Sequence, residues 1–255
     1  MLLSRTFRLW ALVIGPCALA LAAFAQAPQP TPPPSPADLR FLFLDETAGA
    51  YALKVGARFR QVSSAPYIIS APYTPADLRP IELYKTGTTP DPRTGELPRV
   101  KVATFTPPSD TTSALVIVTP RAALSATAGP AYDVEFINSD PVSFPGGTIR
   151  ILNRGNTTLA VRFAADQVVA APGDTRLLTP TTDDRGRIRA RIAVQTPDAW
   201  KLISDNVAVV KPDSRLTGVL VYSPSGMKFR FNKSILAARG DPPPSHVWLT
   251  YTDTP

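Results

Sequence analysis

Three arginines at alternate positions, in Arg187-Ile188-Arg189-Ala190-Arg191-Ile192, are the residues whose spacing most directly implies chemistry. In an extended strand successive side chains point to opposite faces, so Arg187, Arg189 and Arg191 share one face while Ile188, Ala190, Ile192 and Val194 share the other. Met227-Lys228-Phe229-Arg230-Phe231 repeats the pattern, with Lys228 and Arg230 opposite an apolar face. Guanidinium forks hold carboxylate, sulfate or phosphate bidentately, so the two basic ladders, if neighbours, form a surface for a polyanion. The plainer alternative is a solvated strand face that keeps a sheet soluble and discourages edge pairing, with Asp183 and Asp184 near enough in sequence to neutralise part of it.

Other groups offer less. Asp133 and Glu135 alternate on one strand, with Asp140 just beyond, and a pair of acids is the minimum a glycosidase needs. The same oxygens suit calcium, but no Asp-rich loop of the usual binding type surrounds them. His246 is the sole imidazole, and no GxSxG elbow accompanies it, so a serine–histidine–acid triad is not expected. Trp200, Trp248, Tyr222 and Tyr251 are available to stack on sugar rings or to fill a core. Trp248 and Tyr251 have opposite parity within one strand and cannot share a flat platform without a bulge. Two Asn-x-Ser/Thr sequons, at Asn156 and Asn232, matter only in a eukaryotic secretory pathway.

Composition narrows the possibilities further. One cysteine and one histidine in 255 residues exclude zinc fingers, iron–sulfur sites, disulfide frameworks and metal sites needing two imidazoles or thiolates, and no cofactor is implied. With 44% hydrophobic and 18% charged residues, and 29 prolines against 14 glycines, long charged helices, coiled coils and collagen repeats fit poorly.

The first residues read as an export signal. Arg5 and Arg8 precede an apolar run from Leu9 to Ala23, and Ala23-Phe24-Ala25 supplies small residues at the −3 and −1 positions. Residues 1–25 are therefore expected to be a signal peptide cleaved after Ala25. That cut discards Cys17, whose preceding Pro16 does not suit a lipidation motif, and no second apolar stretch is long enough to span a bilayer. Loss of Arg5 and Arg8 lowers the formal net charge from +7 to about +5. In an exported protein that charge favours envelope lipid, acidic polysaccharide or an acidic envelope protein as partner, and nucleic-acid binding lacks its usual interleaving of basic and aromatic residues.

What must position these groups is a set of strands. Gln26 to Pro36 reads QAPQPTPPPSP, a polyproline-type spacer assigned to residues 26–38. Beyond it LRFLFL, AYALKV, PYIIS, PIELYK, RVKVATF and SALVIVTP recur between turn residues, while PRAALSATAGP reads as a small-residue connector. This predicts β domains over 39–119 and 131–255 separated by a linker at 120–130. In the second half a hairpin is expected at Arg154-Gly155-Asn156, where Gly155 can accept positive φ, and turns at Pro172-Gly173-Asp174, Asp183-Asp184-Arg185-Gly186 and Ser223-Pro224-Ser225-Gly226. HVWLTY is the expected last strand.

The stretch GGTIRILNRGNTTLAVRF followed by APGD resembles, in outline, exported immunoglobulin-like and cupredoxin-like sandwiches. Cupredoxin copper ligation needs a histidine pair and a cysteine that the mature chain lacks, so the resemblance implies a fold and no function. The sequence as a whole predicts an all-β protein of antiparallel β-sandwich domains in tandem, exported to the periplasm, cell surface or medium. Its expected role is non-catalytic binding or structure at the cell envelope, through the basic face of Arg187, Arg189, Arg191, Lys228 and Arg230. The alternatives are a carbohydrate-active module or hydrolase using Asp133 and Glu135, and an assembly protein that pairs strands with a partner edge.

Overall fold

Apolar residues recur with two distinct patterns, and the pattern decides which layer a strand joins. The computed structural model describes residues 38–46, 50–63, 66–75, 80–121, 132–223 and 244–255. Among these are fifteen strands and no α-helix, and residues 34–255 form one compact unit. The expected signal peptide, most of the expected spacer, residues 122–131 of the expected connector, Pro224-Ser225-Gly226 of the expected turn, Lys228 and Arg230 of the expected second ladder and the Asn232 sequon lie outside the described residues. No helix among the described residues is long and apolar enough to cross a membrane.

The strands form four sheets. The first holds β1 (Asp38–Phe43), β6 (Ser113–Pro120) and β7 (Tyr132–Asn138), in the order β1-β6-β7. The second orders β2 (Ala50–Val55), β3 (Arg58–Ser63), β4 (Ile81–Thr86) and β5 (Arg99–Phe105) as β3-β2-β4-β5. The third holds β8 (Ile149–Arg154), β11 (Thr175–Leu178), β14 (Arg215–Tyr222) and β15 (His246–Asp253), ordered β11-β8-β14-β15. The fourth holds β9 (Leu159–Phe163), β10 (Asp166–Ala170), β12 (Arg187–Gln195) and β13 (Trp200–Val209), ordered β10-β9-β12-β13.

Three apolar cores bind these sheets into a stack of four layers. Leu39, Phe41 and Phe43 of β1 and Val116 and Val118 of β6 meet Leu53, Leu83 and Phe105 of the second sheet. Ile149, Ile151 and Leu220 of the third sheet meet Val161, Phe163, Ile188 and Ile192 of the fourth. Between these two sandwiches, Leu42, Leu115 and Ile117 pack against Leu152, Val219, Val221 and Leu249.

The two inner sheets are thus covered on both faces, and their strands β1, β6, β8 and β14 are buried along nearly their whole length. In the outer sheets β12 alternates between buried residues and exposed or half-buried ones. Coverage of both faces is the condition under which parallel pairing is found, and the two parallel pairs, β1 with β6 and β8 with β14, sit in the inner sheets. The other pairings between strands are antiparallel.

Two local expectations are corrected. Arg154-Gly155-Asn156 is not a hairpin: β8 and β9 belong to different sheets, and the chain crosses between layers there. Gly155 is absent from the positive-φ residues, and its need for a missing side chain is steric, since a Cβ would come within 2.9 Å of Leu220 Cδ2. The tight hairpin is instead β9–β10, turned by Ala164 at φ 48°. PYIIS is not a regular strand: it and the residues after it lie along β1 through the isolated bridges Leu42–Ile69 and Leu39–Tyr73. Tyr132–Asn138, on the far side of the 120–130 connector, pairs with β6, so the first sheet draws on both sides of that connector.

Candidate functional site

The outer face of the fourth sheet carries the arginine ladder. Arg187, Arg189 and Arg191 are exposed, while Ile188, Ala190, Ile192 and Val194 are buried in the core. Acids partly satisfy them. Arg187 pairs with Asp183 at 2.9 Å, Arg189 donates two 2.8 Å hydrogen bonds to Asp205, and Arg191 stands 3.4 Å from the same carboxylate. Hydrogen bonds from Arg189 hold Asp205 below the usual carboxylate range, and the Arg187 backbone N–H does the same for Asp183. The turn at Asp183 forms as expected, closed by Gly186 at φ 71°.

Two residues that the sequence reading did not place complete this face. Register sets exposed Arg162 of β9 directly opposite Arg191. Trp200 of β13 arrives through a bulge: Ile192 pairs with Ser204 but Ala193 pairs with Leu202, leaving Ile203 as the extra residue. Without that residue Trp200 would fall on the core-facing parity; with it, Ile203 packs against the core and Trp200 turns outward, 49% exposed. Trp200, Arg162, Arg191 and Gln167 line a shallow hollow of about 210 Å³. The bulge breaks the period-two pattern of WKLISDNVAV, which is why neither β13 nor the placement of Trp200 was legible beforehand.

The remaining candidates are dispersed. Asp133 and Glu135 share a face of β7, but Arg121 holds Asp133 and Arg154 holds Glu135 through bonds of 2.8 and 2.5 Å. Asp140 accepts the backbone N–H groups of Thr112 and Ser113 at 2.9 and 2.6 Å, tying a loop to the start of β6. His246 Nε2 lies 2.9 Å from Asn156 Oδ1 and Nδ1 lies 3.2 Å from Ser245 Oγ. Burial, helped by the charge of Lys201, lowers the His246 imidazole below its ordinary value. Trp248 packs against the core between the third and fourth sheets, and Tyr251 packs against the core between the two sandwiches and donates to Tyr67 O at 2.7 Å. Among the described residues no group of three His, Cys, Asp or Glu side chains is placed to hold a metal ion.

Two buried polar clusters complete the inventory. In the first sandwich, Asp45 Oδ2 accepts from Tyr51 Oη, from Tyr132 Oη at 2.5 Å and from Lys85 Nζ at 2.7 Å. Burial and the bond to Asp45 push the Tyr51 and Tyr132 hydroxyls up. Burial alone would lower Lys85, yet the hydrogen bond and charge of Asp45 outweigh it and the net shift is upward.

The second cluster closes one end of the central layer, where Arg40, Arg150, Asp253 and Thr217 line a cleft of about 350 Å³ with Tyr67, Ile68 and Tyr251, and Arg215 stands behind the lining on Asp253. Arg215, 4% exposed, is bidentate to Asp253 at 3.1 and 3.2 Å and donates to the backbone oxygens of Ser139 and Phe144. The Phe144 ring lies beneath both guanidiniums, 4.1 Å from Arg150 and 4.9 Å from Arg215.

No protein-family model matches the chain, and no curated protein matches it.

Proposed function

We propose that the protein is an exported, non-catalytic binding module of the cell envelope that holds an acidic polysaccharide on the outer face of β9, β12 and β13. The observation that supports this reading is the hollow at which an exposed tryptophan meets two guanidiniums, Arg162 and Arg191. An indole face stacks on a sugar ring, and a guanidinium fork takes the ring's carboxylate or sulfate, so the trio suits a charged sugar better than a neutral glycan or a bare phosphate surface. Arg187 and Arg189 extend the face along β12, with side-chain steps of about 7 Å. Their pairs with Asp183 and Asp205 are solvent-exposed, and such pairs are weak enough for a polyanion to exchange with.

A strand-pairing role is the second reading, favoured by β13. Among the described residues it is an edge strand of ten residues that exposes Trp200, Leu202, Val207 and Val209 where edges are ordinarily guarded by charge.

Retention on immobilised alginate across a salt series tests the first reading. Binding is expected to weaken with salt, to vanish in the Arg187→Ser/Arg189→Ser/Arg191→Ser variant, and to fall about fivefold or more in Trp200→Ala, as an aromatic anchor implies. Equal retention of all three proteins, or none, would sink it. Preference for anionic vesicles over alginate would transfer the face to lipid.

A further inference from the structure

Inward-facing parity places Arg40 of β1, Arg150 of β8, Arg215 and Thr217 of β14 and Asp253 of β15 at the same end of the central layer. Their charges do not balance. Arg215 and Asp253 satisfy one another, and Arg40, at the exposed rim, reaches the same carboxylate at 3.5 Å. Arg150 is 5% exposed, and among the described residues no carboxylate pairs with it. Its Nη1 donates to Asn138 O at 2.8 Å and Ser139 Oγ at 3.1 Å, and its Nη2 donates to Thr217 Oγ1 at 3.3 Å. Its Nε has no hydrogen-bond partner.

A guanidinium has five N–H donors, and a buried one without an acid carries an uncompensated desolvation cost. Burial, opposed by the charge of Asp253 and joined by that of Arg215, brings its pKa down to about 10, so it remains charged near neutrality. A buried cation against an open cleft of about 350 Å³, a volume within the range of small-molecule sites, is completed by an arriving anion.

The lining limits which anion. Three guanidiniums face one carboxylate, but Arg40 stands at the solvated rim, so a single negative charge matches the one buried guanidinium without an ion-pair partner, and a dianionic phosphate would carry a second charge into the poorly hydrated end. Ile68, Ile69, Leu115 and the rings of Tyr67 and Tyr251 form apolar walls beside the polar end, and Ile68 is 57% exposed at the mouth.

We propose that this cleft is a binding site for a small organic monocarboxylate, its carboxylate held between Arg150 and Arg40 and its apolar body lying along Ile68, Ile69 and Tyr251. The site is separate from the arginine face of β12 and stands whether or not that face binds a polysaccharide.

Isothermal titration of the purified protein with hexanoate, phenylacetate, hexanamide and inorganic phosphate tests it. Hexanoate or phenylacetate is expected to bind saturably, the better of the two reporting an aliphatic or an aromatic body, with hexanamide and phosphate each about tenfold weaker or worse. Arg150→Gln is expected to abolish binding, and Arg40→Ser to weaken it several-fold. Ile68→Asp, a change at an exposed position that a failure of Arg150→Gln to fold does not affect, is expected to repel the carboxylate. Arg187→Ser/Arg189→Ser/Arg191→Ser is expected to bind hexanoate as the parent does. Absence of saturable carboxylate binding, equal binding of hexanamide, tighter binding of phosphate, or unchanged affinity in Ile68→Asp and Arg40→Ser would each overturn the proposal.

Discussion

Asp45 shows how much one buried residue can demand of its surroundings. It is 3% exposed and draws two tyrosine hydroxyls and a lysine to a single oxygen. Removing the lysine takes the cation at 2.7 Å away from a buried carboxylate, so Lys85→Met is expected to destabilise the protein by about 3 kcal/mol, measured by urea unfolding. Asp45→Asn with Lys85→Met together is expected to cost less than Lys85→Met alone, and the reverse order would show that the ion pair is not what the cluster depends on. Because the folded state raises Lys85, its contribution is fully present below the ordinary lysine pKa of about 10.4 and is lost as pH climbs through the folded value. Urea midpoints are therefore expected to fall for the parent above about pH 10.5 and to fall less for Lys85→Met.

At this same scale the arginines divide into those the sequence reveals and those it hides. Arg187, Arg189 and Arg191 alternate with apolar residues, and alternation alone places them outward. Arg40, Arg150 and Arg215 stand inside the apolar segments LRFLFL, IRIL and RLTGVLVY. A charge within a run buried on both faces is the available signal for them, and it becomes readable only once the run is known to be an inner strand.

Elements were legible wherever one strand had a pattern of its own. RVKVATF and SALVIVTP begin and end where the sequence places them, and β12, β14 and β15 fall on their segments. Partners were not legible, because periodicity records which face is buried and carries no trace of what covers it. The parallel pairs and the β8–β9 crossover therefore had to come from the structure.

Gly218 illustrates the point. It looks like an interruption of β14, yet a Cβ there would come within 2.0 Å of Trp248 Cζ2, so the glycine makes room for the indole of the neighbouring strand. Gly218→Ala is expected to cost about 2–3 kcal/mol by overpacking, read as a lowered thermal midpoint. Gly218→Ala combined with Trp248→Leu should recover part of it, and an unchanged midpoint in the single variant would refute the contact.

Across the whole molecule, the division into halves meets a shared core. Leu152, Val219, Val221 and Leu249 have their partners on β1 and β6, so separating the sandwiches exposes a contiguous apolar surface. The full chain is expected to unfold in a single calorimetric transition, and a fragment of residues 139–255 is expected to self-associate and bind a hydrophobic dye. A monomeric, dye-silent fragment with its own sharp transition would instead support two independent tandem domains.

Stacking four sheets has a directional consequence. Packed sheets lie about 10 Å apart, so roughly 30 Å separates the two outermost layers, and their free faces look in opposite directions. One bears the arginines of β12 and the indole of Trp200. The other bears the Lys54–Glu82–Lys101 ladder and the Phe59–Tyr84 ring pair with Arg99 lying over Phe59. Whatever settles on either face leaves the other uncovered, which gives the molecule the geometry of a rigid spacer with two differently coloured ends.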